Sequence, residues 1–170
     1  MATRMIDLRA ATLPDCDALA AIHGEAWLGA YRGLLDGIEL QRLIARRNPA
    51  WWKGALQRGV QIKLLEISDT PAGYATYGTS RLRSVPSEGE IYELYLRPEY
   101  QGLGFGRQLF EAVRADLNAH CLQGLAVQVL TDNEPAVGFY TALGGQLTET
   151  STYHNGGRPL GLSVFTWSAV

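Results

Sequence analysis

The stretch RPEYQGLGFGRQLF, residues 97–110, decides how the rest of the chain is read. Gly102, Gly104 and Gly106 alternate directly ahead of a helical pattern in which Leu109, Val113 and Leu117 recur every fourth residue. Glycine costs about 1 kcal/mol against alanine inside a helix, so the spacing needs a reason other than helix formation. The first turn of a helix presents backbone N–H groups without intrahelical partners and a partial positive charge, and glycines let an anion approach them. The segment therefore predicts an anion site at a strand–turn–helix junction. Tight packing or a chain bend is the alternative use of the glycines.

Upstream, QIKLLEI (61–67), AGYATYGTSRLR (72–83) and GEIYELYLRP (89–98) read as three consecutive strands, with SVPSEG as a loop, which predicts an antiparallel meander. Residues 4–10 alternate Met5, Asp7 and Arg9 against Ile6, Leu8 and Ala10, the two-residue period of a first strand. In residues 13–35, Leu13, Leu19, Ile22, Ala26, Ala30 and Leu34 keep helical spacing behind Asp15 and Asp17, and Gly24, Gly29 and Gly33 predict a broken helix. GIELQRLIARR (37–47) and WWKGALQRG (51–59) add two short helical stretches separated by Asn48-Pro49.

Downstream, Gly124 is expected to help close the helix behind the glycines, and LAVQVL (125–130) reads as a buried strand. TDNEPAVGFYTALGG (131–145) has Asp132 and Asn133 as cap candidates, Pro135 in the first turn and Gly144 at its end, so a short helix is expected. Two final strands, residues 145–154 and 161–168, are joined by the turn NGGRP. The condensed order is β-α-α-βββ-α-β-α-ββ, an α/β (α+β) chain with one mixed sheet of about seven strands.

The chain has 170 residues, 46% apolar and 19% charged, which suits one domain with a sizeable core. A formal net charge of −2 argues against a surface built for nucleic acid or anionic membrane. No apolar run approaches the ~20 residues of a membrane span, and residues 1–19 lack an apolar signal core, so a cytoplasmic protein is expected. Cys16 and Cys121 lie far apart without metal or redox spacing; both are read as small buried or half-buried residues, and no metal site is expected.

Two phosphate-binding motifs fail on spacing. A P-loop needs lysine after its spacer, and no lysine follows Lys63. The dinucleotide fingerprint would need glycine where Arg107 or Leu109 stands. What fits is Gln101-x-x-Gly104-x-Gly106, and here the chain resembles the GNAT superfamily of acetyl-CoA-dependent N-acetyltransferases. The resemblance extends over IDLRAATLPDCDALAAIH, over YELYLRPEYQGLGFGRQLF, and over VQVLTDNEPAVGFYTALGG with Asn133, Ala136, Phe139 and Tyr140 at the family's N-x-x-A-x-x-F-Y spacing. It departs at Gly145, where the family often has phenylalanine or another bulky residue, which puts the packing behind that helix in question.

The resemblance implies a single GNAT-like domain over residues 1–170, with a mostly antiparallel sheet flanked by helices, that takes acetyl-CoA (coenzyme A) as cofactor. Its pyrophosphate would lie on Gln101, Gly102, Leu103, Gly104, Phe105, Gly106 and Arg107, and its arm along Leu94, Tyr95 and Leu96, with Asn133, Ala136 and Phe139 also at the cofactor. Acetyl transfer to an amine needs a base, because an alkylamine with a pKa of about 10 is protonated at neutral pH. Glu93 is preferred and Glu90 held in reserve; three apart on a strand of period two, they should face opposite ways. A solvated charge or an ion pair is the other reading of either glutamate.

Tyr140 matches the family tyrosine that serves as general acid to the departing thiolate, with core packing as its alternative. A main-chain N–H near Tyr95 or Leu96 would meet the oxyanion. The resemblance places the acceptor, an amine-bearing small molecule or peptide, near Trp27, Tyr31, Arg32, Trp51, Trp52, Tyr153 and His154. The acceptor's identity and homodimer formation stay open, and a non-catalytic acyl-CoA-binding module is the alternative function.

Overall fold

The structure is a computed structural model that describes residues 5–154 and 157–168. The expected strand start at Arg4 and the turn residues Asn155 and Gly156 lie outside the described residues, as do the other residues of 1–4, on which the expectation of an untargeted N-terminus partly falls. Seven strands follow the order β1-β2-β3-β4-β5-β7-β6. They are β1 (Ile6–Ala10), β2 (Gln61–Ile67), β3 (Thr70–Thr79), β4 (Gly89–Leu96), β5 (Leu125–Leu130), β6 (Gln146–Tyr153) and β7 (Leu160–Trp167).

Helices α1 (Cys16–Tyr31), α2 (Gly37–Arg46) and α3 (Pro49–Gln57) precede β2, α4 (Phe105–Ala119) joins β4 to β5, and α5 (Glu134–Ala142) joins β5 to β6. Ladders β1/β2, β2/β3, β5/β7 and β6/β7 are antiparallel. The parallel β4/β5 pair, with Gly89 opposite Leu125 and Ile91 opposite Val127, is the pair that a helical crossover permits. The mixed, mostly antiparallel sheet of the sequence reading is therefore present.

Three local expectations are corrected. Helix α1 runs unbroken through Gly24 and Gly29, because Leu19, Ile22, His23 and Ala26 bury one continuous face and packing outweighs glycine's propensity cost. Three helices, one more than the condensed order, stand before β2: Asn48 accepts from the Trp51 N–H at 2.9 Å and Pro49 opens α3, so α2 and α3 cannot merge. Helix α4 ends at Ala119, where Cys121 takes a left-handed φ of 59° ahead of Gly124; Cys121 is exposed rather than buried.

By compactness the chain divides into residues 1–77 with 93–115, and residues 78–92 with 116–170. In the first unit, Leu19, Ile22, Trp52, Ile62, Leu64 and Tyr74 form the core. Arg9 ties β1 to the start of α1 and to β2 by donating to Asp15 at 2.8 Å and to Glu66. In the second unit, Val85, Ala126 and Val164 pack together.

Candidate active site

In the first unit, β4 leads through a turn at Pro98–Tyr100 to the glycine loop. Gly102 and Gly104 adopt φ values of 74° and 87°, and a Cβ on either would meet nothing within 4 Å. Their glycine requirement is thus a backbone one, left-handed conformation beside open space. The Gln108 N–H donates to the Gly104 carbonyl at 3.3 Å, so by helix geometry the N–H groups ahead of Gln108 face out of the end of α4. Gly106 differs: it lies within the first turn of the helix and is buried, as is Phe105. Leu103 is 57% exposed and Arg107 is exposed. Gln101 donates its side-chain amide to the Leu96 carbonyl at 3.1 Å, folding the loop onto the end of β4.

Glu93 lies on β4 with its side chain 12% exposed, accepts from Arg47 at 3.0 Å and accepts from the Thr76 hydroxyl at 3.4 Å. Arg47 stands between α2 and α3, its guanidinium 3.9 Å from the Trp51 ring centre and 5.5 Å from that of Trp52. The ion-pair alternative for Glu93 is thus realised in this geometry.

Leu94 and Tyr95 are half-buried, and Leu96 is buried. The hydroxyls of Tyr95 and Tyr31 lie 2.8 Å apart, linking the last residue of α1 to β4. Burial pushes the Tyr95 phenol well above its ordinary range, with Tyr31 and Glu93 adding to the effect.

His23, Trp27 and Tyr31 recur every four residues on α1, and this face meets Tyr95 of β4 and Trp52 of α3. The His23 and Trp27 rings are 4.7 Å apart, and Trp52 meets Tyr74 edge-on at 4.9 Å. His23 is fully buried, and its pKa is lowered to about 3 by burial and then by the charge of Arg47. Neither ring nitrogen of His23 has a hydrogen-bond partner among the described residues, and the same holds for Trp27 Nε1, Trp52 Nε1 and the Tyr74 hydroxyl.

The structure gathers Trp27, Tyr31, Trp52, Glu93 and Tyr95 into this unit as contacting groups. The sequence reading missed His23, Arg47, Tyr74 and Thr76. Only His23 had a signal, its four-residue spacing from Trp27 and Tyr31. Arg32 is exposed and lines a separate groove of about 550 Å³ with Glu25, Leu28, Gly29, Pro98 and Glu99.

In the second unit, Glu90 is buried and accepts from the Arg81 backbone N–H at 2.8 Å. Burial raises its pKa, opposed by that hydrogen bond. Asn133 caps α5, its side-chain oxygen accepting from the Ala136 N–H at 3.4 Å, which is the capping use weighed from sequence. Tyr140 is buried among Phe139, Phe165 and Trp167, with ring centres 5.0 to 6.3 Å away. Ala136 and Phe139 are half-buried, whereas Tyr153 and His154 are exposed at the end of β6. Trp167 answers the question raised by Gly145: a Cβ there would lie 2.6 Å from Trp167 Cζ2 and 2.8 Å from the Tyr140 carbonyl oxygen. The indole supplies the bulk and donates to the Leu143 carbonyl at 3.0 Å.

Along the chain, β4, the glycine turn and α4 are followed by β5 and by the capped helix α5, which bears the buried Tyr140. The model of the acetyltransferase (GNAT) family matches residues 20–144, and the chain belongs to that family. It is thus an N-acetyltransferase of the GNAT class. The chain is 29% identical to YuaI, an uncharacterized N-acetyltransferase of Bacillus subtilis, over 138 residues, 81% of this chain and 79% of that protein. It is 36% identical over 158 residues to thialysine N-epsilon-acetyltransferase of Bos taurus, 86% of this chain and 88% of the relative. Among solved structures, PaiA N-acetyltransferase of Thermoplasma acidophilum in complex with coenzyme A has the same fold, with a TM-score of 0.76, 16% identity, and coverage of 93% and 98% of the two chains. Among the described residues no helix is long and apolar enough to cross a membrane.

Proposed function

We propose that residues 1–170 act as one N-acetyltransferase domain that transfers an acetyl group from acetyl-CoA directly to a primary amine. The observation that carries this reading is the loop at Gly102 and Gly104, open and left-handed at the N-terminus of α4. These features fit a pyrophosphate: unpartnered N–H groups, a favourable helix dipole and no side chain in the way. Gln101 through Arg107 would hold the pyrophosphate, and Leu94 to Leu96 the arm, with Asn133, Ala136 and Phe139 as further contacts. Bound there, the cofactor supplies an acetyl thioester.

The chain's own residues then divide the work. Glu93 takes a proton from the acceptor ammonium, directly or through water, so that the amine nitrogen can bond to the acetyl carbon as the carbon–sulfur bond breaks. A main-chain N–H near Tyr95 or Leu96 donates to the carbonyl oxygen as charge develops. Tyr140 gives its proton to the departing sulfur and is restored, through water, by the second proton that the nitrogen sheds as it becomes an amide. Glu90 stays the reserve candidate for base, its buried carboxylate accepting from the Arg81 backbone N–H. Trp27, Tyr31 and Arg32 on the first helix and Tyr153 and His154 on the last hairpin are proposed to select the acceptor. A cytoplasmic location accords with this reading and with the unpaired Cys16 and Cys121.

The test is free-thiol release from acetyl-CoA by the purified chain, offered thialysine, L-lysine, 1,5-diaminopentane and a peptide with a free α-amine. Amine-dependent release that saturates supports the reading. Tight acetyl-CoA binding without release for any amine favours the acyl-CoA-binding module instead.

A further inference from the structure

Glu93 is not an open carboxylate. Its Oε1 accepts from the Arg47 guanidinium at 3.0 Å and from the Thr76 hydroxyl at 3.4 Å, and the same guanidinium lies over Trp51 at 3.9 Å. A carboxylate beneath a cation that is also stacked on an indole is how proteins recognise ammonium and guanidinium groups. Here the cation comes from the chain itself, and from a junction. Arg47 follows the last residue of α2, has non-helical φ and ψ of −89° and 47°, and precedes Asn48, the cap of α3. Its side chain is 24% exposed, so a path to solvent exists that disturbs neither helix.

Resting on the reading of Glu93 as the group that meets the acceptor amine, we propose that Arg47 is an internal stand-in for the acceptor's ammonium. The guanidinium holds the Glu93 carboxylate until a cationic amine replaces it, and Trp51 and Trp52 then offer their faces to the newcomer. The acceptor class this favours is an amine that arrives protonated at the end of an aliphatic chain, able to reach a carboxylate flanked by aromatic rings. A neutral or weakly basic aromatic amine would gain nothing from displacing Arg47.

Binding of n-butylamine at pH 7 to the full chain, without acetyl-CoA, tests this by calorimetry. Arg47→Met should tighten binding about tenfold or more, because an internal competitor that occupies the site most of the time weakens apparent affinity by the fraction left free. Arg47→Lys, which keeps a cation at the junction, should stay near the wild-type value, and Glu93→Gln should abolish saturable binding. Unchanged or weaker binding in Arg47→Met would make Arg47 a fixed strut and overturn the proposal.

Should Arg47→Met not fold, the wild-type chain still decides. Saturating n-butylamine should change tryptophan emission, and the change should be lost in Trp51→Phe; no change in the wild type overturns the proposal. Failure of the underlying reading looks different, since Glu93→Gln would then retain amine-dependent thiol release from acetyl-CoA whatever Arg47 does.

Discussion

The indole of Trp167 occupies the space that a side chain at residue 145 would need, 2.6 Å from the position of a Cβ on Gly145. Gly145 is therefore bound to Trp167 as a pair, with the Trp167 N–H anchored on the Leu143 carbonyl. Gly145→Ala should cost about 1–3 kcal/mol by overpacking. In combination with Trp167→Leu the loss should be less than the sum of the two, as expected for residues in contact. Urea unfolding of the three variants measures both.

Gly104 sets a different expectation, because its surroundings are open and its φ of 87° alone resists a side chain. Gly104→Ala should lose about 1–2 kcal/mol of stability from left-handed strain. Gly104→Asn should recover part of it, since asparagine tolerates that region. Both should weaken coenzyme A binding about tenfold, ~1.4 kcal/mol, because a Cβ enters the space proposed for the pyrophosphate. Thermal unfolding and calorimetric titration separate the two effects.

His23 predicts a pH dependence. Its folded pKa, lowered to about 3 first by burial and then by Arg47, lies below the unfolded value of about 6.5. The unfolded chain therefore binds the proton more readily in the interval between these values. The stability present above pH 6.5 is lost as pH falls toward 3, with a slope of at most about 1.4 kcal/mol per pH unit. His23→Phe should flatten the profile between pH 6.5 and 4.5, a window above the carboxylate range, as followed by denaturant unfolding.

A second acid-sensitive group acts lower. The Arg9 guanidinium, helped by the Thr12 N–H and against the cost of burial, holds the Asp15 carboxyl below its usual range. A depressed folded pKa gives stability that is present above the unfolded value of about 3.9 and lost as pH falls through the folded one. Asp15→Asn should cost about 1.5–3 kcal/mol at pH 7, the worth of a hydrogen bond to a charged group. The difference from wild type should shrink below pH 4. Unfolding curves at pH 7, 4 and 3 check it.

Most of the scaffold was legible because it rests on local rules. The strand pattern of QIKLLEI gave β2 its bounds, and the Asn133, Pro135 and Gly144 punctuation gave α5 its own. The turn and glycine loop ahead of α4 were legible for the same reason. Helix α1 was misread as broken because glycine propensity is a local cost, whereas the burial of Leu19, Ile22 and Ala26 is a tertiary gain that sequence spacing does not weigh. Arg47 was invisible because its partner Glu93 is 46 residues away, and no periodicity links a helix end to a strand at that distance. Trp167 was missed for a related reason: the space at Gly145 is filled from the last strand rather than from its own helix.

The central claim is that the chain moves an acetyl group from acetyl-CoA to an amine with Tyr140 as the acid. Thiol release, followed continuously with acetyl-CoA and the amine panel for wild type and Tyr140→Phe, tests it most directly. The account predicts saturable, amine-dependent release in the wild type, reduced about 10²–10⁴-fold in Tyr140→Phe with coenzyme A affinity retained. Release in Tyr140→Phe equal to wild type would remove the tyrosine from the mechanism, and acetyl-CoA binding without release for any amine in the wild type would contradict the activity itself.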